Sequence, residues 1–451
     1  MPLAQFICMT QVTSILVLMV KAENGSEISR QKNVTMQNIS NIKISKYGMV
    51  FSIRMRCVGK TARKKECDMT RYILKHRNRD VAFFTMDEDG DLYSLEIASQ
   101  EYMPILGNGP KNLAEWIQNR AIPEGRPDLS KILRETGCKT ALEYLLQNLA
   151  LSPSDSYWIC PENLKGITWE EISLYQHPDG ARISLCTSHG PTYRTIRNDS
   201  ALTGSLEKYN VYRQGSWHLV KSGAPGIAFG LQNINEAFAS MIHEKLGFAE
   251  HAKYILHFDG RGTCQSCSCR YFTDETCEMI SAYYVTGGIC GQAKTPQEAY
   301  QEYIDACIAN GLDRDYVFHS MDHMIFTDFL ITNTDRHWEN FGILRDPDTL
   351  RFLTLAPIFD SGTSMLYDDS FAKTRRHLIS ISVHGLCHSQ VENLRLVRDK
   401  KAVDVSRLPD ERETAEFYMA RGVPKERAEQ IARCFELKKD MLSEFQNTDT
   451  D

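Results

Sequence analysis

The chain of 451 residues has no apolar run long enough to cross a bilayer. The stretch from Ser14 to Val20 is seven residues long, and a spanning helix needs about 20. No Lys or Arg precedes it, so the basic start of a secretory signal is missing too. The phosphate loop G-x-x-x-x-G-K-[ST] is absent, and so is the twelve-position calcium loop with its terminal Glu. No helix-turn-helix is evident, so DNA contact would have to come through a partner. The 14 cysteines are scattered along a long chain, unlike the dense framework of a disulfide scaffold, and read as reduced thiols of a cytoplasmic protein. Asn24-Gly-Ser, Asn33-Val-Thr and Asn38-Ile-Ser match the glycosylation acceptor pattern and keep export open as the alternative.

With 42% hydrophobic and 24% charged residues, the composition suits a folded soluble protein, and the length allows two or three domains. Charge is unevenly spread. Residues 1–68 hold 11 Lys and Arg against 4 Asp and Glu, or +7, which leaves −13 on the remaining 383. An acidic body argues against direct nucleic-acid binding. The basic tract from Lys43 to Lys65 reads as solvated surface, with an anionic partner as the alternative.

Along the chain, residues 23–47 read as a polar arm and Val50–Arg56 as a strand. Strand patterns flank a polar turn between Tyr72 and Phe84. Asp87-Glu-Asp-Gly-Asp is the next turn and Leu92–Ile97 the next strand. Helical spacing then appears over Asn112–Arg120 and Thr140–Leu149, and Ser152–Trp158 is turn-rich. Residues 69–185 thus predict an α+β unit without a nucleophile or metal set of its own.

Thr203-Gly-Ser-Leu-Glu-Lys208 is a small-residue turn before the strand Tyr209–Arg213, and Trp217-His-Leu-Val-Lys221 is a strand ending in lysine. Such a turn lets backbone N–H groups approach phosphates, and a strand lysine can reach their oxygens. Asn233–Gly247 predicts a helix capped by Asn233 or Asn235 and stopped by Gly247. Glu236 would fall in its first turn, either pairing with Lys221 or only answering the helix dipole. Tyr254–Phe258 and Ile280–Val285 read as further strands of the same lobe. Cys264, Cys267, Cys269 and Cys277 are spaced too tightly for the usual zinc knuckles and read as residues of a hairpin.

From Thr295 the pattern turns helical. Tyr316–Ile331 places Val317, Met321, Met324, Ile325, Phe329 and Leu330 on one flank. It delivers the chain to Asn333-Thr-Asp-Arg-His-Trp-Glu-Asn340. Strands Phe341–Leu344 and Leu350–Leu355, joined at Asp346-Pro-Asp, return it to Ala356-Pro-Ile-Phe-Asp-Ser-Gly362. Asp335 and Asn340 are five residues apart, and Asp360 follows twenty later. Phosphoryl transfer from ATP uses such a set: an Asp for the acceptor hydroxyl, and an Asn and a second Asp for magnesium. Thr363 to Thr374 would form an activation-type loop, and Pro424 to Phe445 a packing helix.

Asn333-x-Asp335-x-His337-x-x-Asn340, Ala356-Pro-Ile-Phe-Asp360 and Thr203-Gly204…Glu207-Lys208 with Lys221 together resemble the HipA-like family of bacterial Ser/Thr protein kinases, and more closely its stand-alone members. The resemblance covers roughly residues 69–445, and Asp155–Pro161 with Trp169-Glu-Glu is similar to the family's linker region. It implies an α+β, bilobal protein-kinase-like fold with an N-terminal α+β extension. The divisions would be 1–68, a basic arm; 69–185, the N-terminal subdomain; 186–294, the nucleotide-binding small lobe; and 295–451, the mainly helical large lobe.

It also implies ATP and Mg2+ as cofactors. Asp335 would be the catalytic base, with His337 bracing its loop, and Asn340 and Asp360 would be the metal ligands. Thr203, Gly204, Lys208 and Lys221 would bind the nucleotide phosphates, with Glu236 in support. The partners would be a protein bearing a Ser or Thr acceptor and an antitoxin-like protein, with no membrane contact. A serine beside the phosphate loop is autophosphorylated in the family; here Ser200 or Thr203 is the candidate. Asp335-Arg-His-x-x-Asn340 is also the pattern of phosphoinositide-type kinases, so a lipid or small-molecule acceptor is the alternative. A pseudokinase that binds a DNA-binding antitoxin is the non-enzymatic one.

Overall fold

The computed structural model describes residues 69–104, 110–187, 190–222, 227–288, 295–368 and 374–448. The apolar run, the polar arm, the strand Val50–Arg56 and the basic tract therefore lie outside the described residues, as do residues 369–373 of the activation-type loop.

Alternating apolar residues build the first sheet. β1 (Thr70–His76), β2 (Arg79–Met86) and β3 (Leu92–Ile97) form an antiparallel meander, and β4 (Tyr157–Pro161) pairs with the other side of β1. The period of two sends Leu74, Ala82, Phe84, Met86 and Tyr157 into one cluster with Leu113, Trp116 and Ile117 of α1 (Pro110–Arg120). Ile73, Trp158 and Cys160 join a second cluster that includes Trp169, Ile172 and Trp217. The sheet is thus buried on both faces. Within Asp155–Pro161, the segment similar to the family's linker region, Tyr157–Pro161 forms β4, with Tyr157 in one cluster and Trp158 in the other.

α2 (Leu129–Thr136) and α3 (Ala141–Gln147) follow α1, and Thr140 caps α3 by accepting from the Glu143 amide at 3.0 Å. α4 (Trp169–Ile172) opens with a Thr168–Glu171 capping box, and β5 (Arg182–Thr187) pairs with β6 (Gly190–Thr195).

The second sheet has the order β7-β8-β10-β9, with β7 (Lys208–Arg213), β8 (Ser216–Ser222), β9 (Tyr254–Phe258) and β10 (Cys264–Arg270). Its register sets Lys208 beside Lys221 and Lys221 beside Cys267, so both lysines point to the face covered by α5 (Ile227–Leu246). Cys264, Cys267 and Cys269 lie on β10. Among the described residues no group of three or more His, Cys, Asp or Glu side chains is arranged to hold a metal ion.

Two expectations fail here. α5 begins at Ile227, so Asn233 and Asn235 sit inside the helix and Glu236 is beyond its first turn. Both asparagines are buried and act as anchors. Asn235 donates to the carbonyls of Gly362 (3.2 Å) and Ser364 (2.6 Å) and accepts from the Tyr418 hydroxyl (2.9 Å), and Asn233 accepts from the Cys267 thiol (3.3 Å). Gly247, at φ +77, ends the helix as expected. Second, Ile280–Val285 is not one strand of the small lobe. Strand β11 (Glu278–Ser281) stops where the helical turn α6 (Ala282–Val285) begins, and β11 pairs with the hairpin of β12 (Gly342–Arg345) and β13 (Phe352–Leu355). A Cβ on Gly342 would lie 2.2 Å from the Ile280 carbonyl oxygen, so this close approach needs glycine.

The remainder is mainly helical: α7 (Pro296–Ala309), α8 (Arg314–Ile331), α9 (Arg375–Ser380), α10 (Gln390–Leu394), α11 (Glu411–Met419) and α12 (Lys425–Asn447). Phe238 of α5, Phe326 and Leu330 of α8 and Ile431 and Phe435 of α12 meet in the largest core cluster. α8 is buried on nearly all sides rather than along one flank, because α5, α7, α10 and α12 all pack against it. No helix among the described residues is long and apolar enough to cross a membrane.

Candidate active site

α8 stops at Thr332, whose left-handed backbone (φ 51, ψ 52) turns the chain into the Asn333–Asn340 loop. The loop is braced from within. Arg336, buried, forms a bidentate pair with Asp328 of α8 at 2.9 and 3.1 Å and donates to the Asn340 carbonyl (2.8 Å), the Phe359 carbonyl and the Ser361 hydroxyl (2.8 Å). One guanidinium thereby ties the end of α8 to both segments expected to bind metal. Asn340 donates its amide to the Asp335 carbonyl at 2.8 Å, which leaves its side-chain oxygen as the atom for a cation.

Lys221 of β8 reaches two carboxylates: Glu236 of α5, in a short hydrogen bond, and Asp360 at 2.5 Å. Glu236 accepts from the Ser361 amide at 2.9 Å with its other oxygen. The pairing of Lys221 with Glu236 is therefore made, and the dipole alternative falls with the longer helix. Burial works to lower the pKa of Lys221, but Asp360 and Glu236 hold it well above its ordinary value. For Asp360 burial works to raise the pKa, and the lysines at 221 and 208 keep it well below the carboxylate range. Asp360 has φ +57, a backbone region costly for a non-glycine residue, and its side chain is 37% exposed.

The Thr203–Lys208 turn covers this group from the other side. Gly204 has φ +94, and a Cβ there would lie 2.4 Å from the Lys208 ammonium. Glycine at 204 is what lets that ammonium lie beneath the turn. Burial lowers the pKa of Lys208 to about 8, with Lys221 and Arg126 adding to the fall and Asp360 opposing it. The turn is held from the N-terminal unit: Arg126 donates to the Leu202 carbonyl at 2.9 Å, and the Tyr144 hydroxyl to Asp199 at 2.5 Å. Ser200 is fully buried and its hydroxyl has no hydrogen-bond partner, whereas Thr203 is exposed.

One cleft of about 560 Å³ is lined by Thr203, Gly204, Lys208, Lys221, Glu236, Asp335, His337, Asn340 and Asp360, so the expected catalytic, phosphate and metal residues border the same space, whereas Ser200 is not in its lining. His337 stands beside Asp335 and accepts from the Glu339 amide at 3.3 Å. Burial lowers its pKa, against Asp335 and Asp360. Sequence reasoning missed Arg336, Asp328, Arg126 and His384. Of these, only Arg336 left a signal, as the charged residue between Asp335 and His337.

Residues 200–439 match the family model of the HipA-like C-terminal domain, more than half of the chain. The chain belongs to the HipA-like family. Its mixed α+β, kinase-like fold is that of the family, and membership implies, in general terms, a HipA-type kinase or toxin that uses a nucleotide and a metal. No curated protein matches the chain. Among solved structures, it is similar to a proinflammatory kinase, CtkA, of Helicobacter pylori, at 13% identity over 55% of this chain and 94% of that one, with a TM-score of 0.36. It is also similar to a chain of the Shewanella oneidensis MR-1 toxin–antitoxin system of HipA, HipB and operator DNA, at 11% identity over 84% of this chain and 100% of that one, with a TM-score of 0.49.

Proposed function

We propose that this HipA-like chain is an ATP-dependent serine/threonine protein kinase that uses Mg2+ and works in the cytoplasm. The observation that carries the reading is the joining of Lys221, Glu236 and Asp360 within the cleft that Asp335 and Asn340 also border. The donor set fits the cofactors. Asn340 and Asp360 offer hard oxygen ligands to Mg2+, and Lys221, Lys208 and the Gly204 turn offer cations and backbone N–H groups to the ATP phosphates. Mg2+ bound there supplies charge neutralisation on the transferred phosphoryl group.

The residues then act as follows. Glu236 holds Lys221 across the cleft floor, and Arg336 keeps the two metal-binding segments in register. Asp335 accepts the proton of the acceptor hydroxyl as that oxygen bonds to the γ-phosphorus and the bond to the departing ADP oxygen breaks. His337 braces the loop. We divide the described chain into an N-terminal unit over 69–185, a nucleotide lobe over 186–294 and a helical lobe from 295, with an antitoxin-like protein as a further partner. Thr203, exposed where Ser200 is buried, is the more accessible autophosphorylation position in this conformation.

The test is incubation of the full chain with radiolabelled ATP and Mg2+, with casein and phosphoinositide vesicles as separate acceptors. Label on protein, the chain itself included, is the expected result. Label on lipid alone would replace the proposal with the lipid-kinase alternative, and no label in any arm, with ATP still bound, would replace it with the pseudokinase.

A further inference from the structure

Asp335 is touched from outside the catalytic loop by His384. Its Nδ1 lies 3.4 Å from Asp335 Oδ1, and its ring stacks on that of His337 with centroids 5.4 Å apart and 28° between planes. The two imidazoles and the carboxylate thus form one group, although His384 is 44 residues beyond Asn340 in sequence. Resting on the reading of Asp335 as the acceptor-side base, we propose that His384 is a positioning residue of phosphoryl transfer: it holds one oxygen of Asp335 and leaves the other for the acceptor hydroxyl.

The position of His384 is built into the fold. Its amide donates to the Thr334 carbonyl at 2.8 Å, which fastens this segment to the catalytic loop one residue before Asp335. Behind it, Asn393 accepts from the Cys387 amide at 2.7 Å, and Gln390 donates to the carbonyls of Leu378 (2.8 Å) and Ile381 (3.1 Å). A Cβ at Gly385 would come within 3.2 Å of the Asn393 amide nitrogen, so the loop is packed closely at the next residue. The main chain therefore places the ring, and removing the ring leaves the loop's own bonds intact.

The side of approach argues for the acceptor. His384 does not line the cleft that holds the proposed nucleotide groups, and its side chain is 66% exposed. An exposed ring against Asp335, outside that cleft, stands where a bulky protein acceptor can reach the carboxylate. At 3.4 Å the contact is an approach of Nδ1 to Oδ1 that a small turn of the exposed ring closes into a hydrogen bond donated to the carboxylate. Fixing one carboxylate oxygen removes rotational freedom from the base before the acceptor arrives, which favours the reacting geometry.

Three full-length forms test this: wild type, His384→Ala and His384→Asn, whose amide nitrogen can occupy the place of Nδ1. Each is measured for transfer from ATP to casein and to itself, for ATP affinity by titration with a fluorescent ATP analogue, and for thermal unfolding. We expect His384→Ala to lower kcat by about tenfold or more, equivalent to about 1.4 kcal/mol of lost transition-state stabilisation. ATP affinity and unfolding temperature should not change, and His384→Asn should recover most of the rate. A kcat for His384→Ala within about twofold of wild type overturns the inference alone, as does a lower kcat accompanied by equally weakened ATP binding or not recovered by His384→Asn. A wild type that transfers to no acceptor overturns the kinase reading and this inference with it.

Discussion

Two buried ionic clusters in this molecule use similar parts to different ends. In the cleft, Lys221 is shared by Glu236 and Asp360. At the seam between the first sheet and the β11–β13 hairpin, Glu278 accepts from His76 at 3.0 Å, from Arg345 at 2.7 Å and from the Ser156 amide at 2.9 Å, while Arg345 also donates to the Tyr157 hydroxyl at 2.6 Å. The seam is sealed: His76, Glu278, Arg345 and Tyr157 are all buried. The cleft is open at one end, with Asp360 37% and Asp335 42% exposed. A sealed network with its charges answered by protein fixes the relation of two units. An open one, in which Asp360 faces the Lys221 and Lys208 ammonium groups at the edge of a cleft, suits the proposed exchange of those contacts for phosphate and metal. Accessibility, more than the count of ion pairs, separates the proposed functional cluster from the structural one.

The sharpest break in that comparison should come from the cleft carboxylates. Asp335→Asn and Asp360→Asn should each reduce phosphoryl transfer by at least ~10²–10⁴-fold, the usual cost of removing an acid–base or metal-binding group. Asp335 borders open space, so its variant should unfold near the wild-type temperature, whereas Asp360→Asn should fold but unfold somewhat lower, because it removes a charge paired with buried Lys221. Activity within a few-fold of wild type in a labelled-ATP assay would remove the residue concerned from the chemistry.

Glu278→Gln should do the converse. It keeps the shape and strands the Arg345 charge in the seam, where breaking a buried pair costs about 3–5 kcal/mol. Urea unfolding should register that loss, while transfer per folded molecule changes little. Burial works to raise the pKa of Glu278, but the His76 hydrogen bond and the Arg345 charge bring it down to about 2. The folded-state value is thus below the unfolded one of about 4.3, so this contribution is complete above that pH and is lost as pH falls toward 2.

Lys221→Met falls between the two clusters. It removes the proposed phosphate contact and also leaves two carboxylates facing each other, so KM for ATP should rise by roughly tenfold or more, with a smaller loss of stability. Unchanged ATP dependence would move the phosphate anchor to Lys208.

What the sequence revealed followed distance along the chain. Asp335, Asn340 and Asp360 are separated only by a loop and a hairpin whose turn residues are plain, so their meeting was legible. The phosphate turn and Lys221 were legible for the same reason, as neighbours on one hairpin. The bracing was not. Arg336 looks like a spacer until Asp328, Phe359 and Ser361 surround it. Arg126 reaches Leu202 across 76 residues, and nothing local marks His384 as a neighbour of Asp335. Asn233 and Asn235 misled because asparagine usually caps helices. Their real partners, Cys267, Gly362, Ser364 and Tyr418, are supplied by other elements. Ile280–Val285 misled because a short apolar run does not distinguish a strand from a buried helical turn.

The smallest effect expected of a substitution, that of one titrating ring, comes from a third buried group that has no carboxylate among its hydrogen-bond partners. His243 of α5 and His323 of α8 share a hydrogen bond of 2.9 Å, His323 stacks on Phe248 at 3.9 Å, and His251 stacks on His243 at 5.1 Å. Burial lowers the pKa of His243 well below its ordinary value and that of His323 to about 3, with neighbouring histidines adding to both shifts. The unfolded chain, with histidines near 6.5, therefore takes up protons before the folded one. Stability from this cluster is complete above about pH 6.5 and falls as pH drops from there toward 3. At pH 5.5 each histidine that stays neutral should cost about 1.4 kcal/mol relative to the unfolded chain. Urea unfolding at pH 7 and 5.5 should show that fall in wild type and a smaller one in His323→Gln, which loses one titrating ring. A stability equal at both pH values would mean that the three rings take up protons in the folded state, and that this junction of α5 and α8 is wetter than its packing implies.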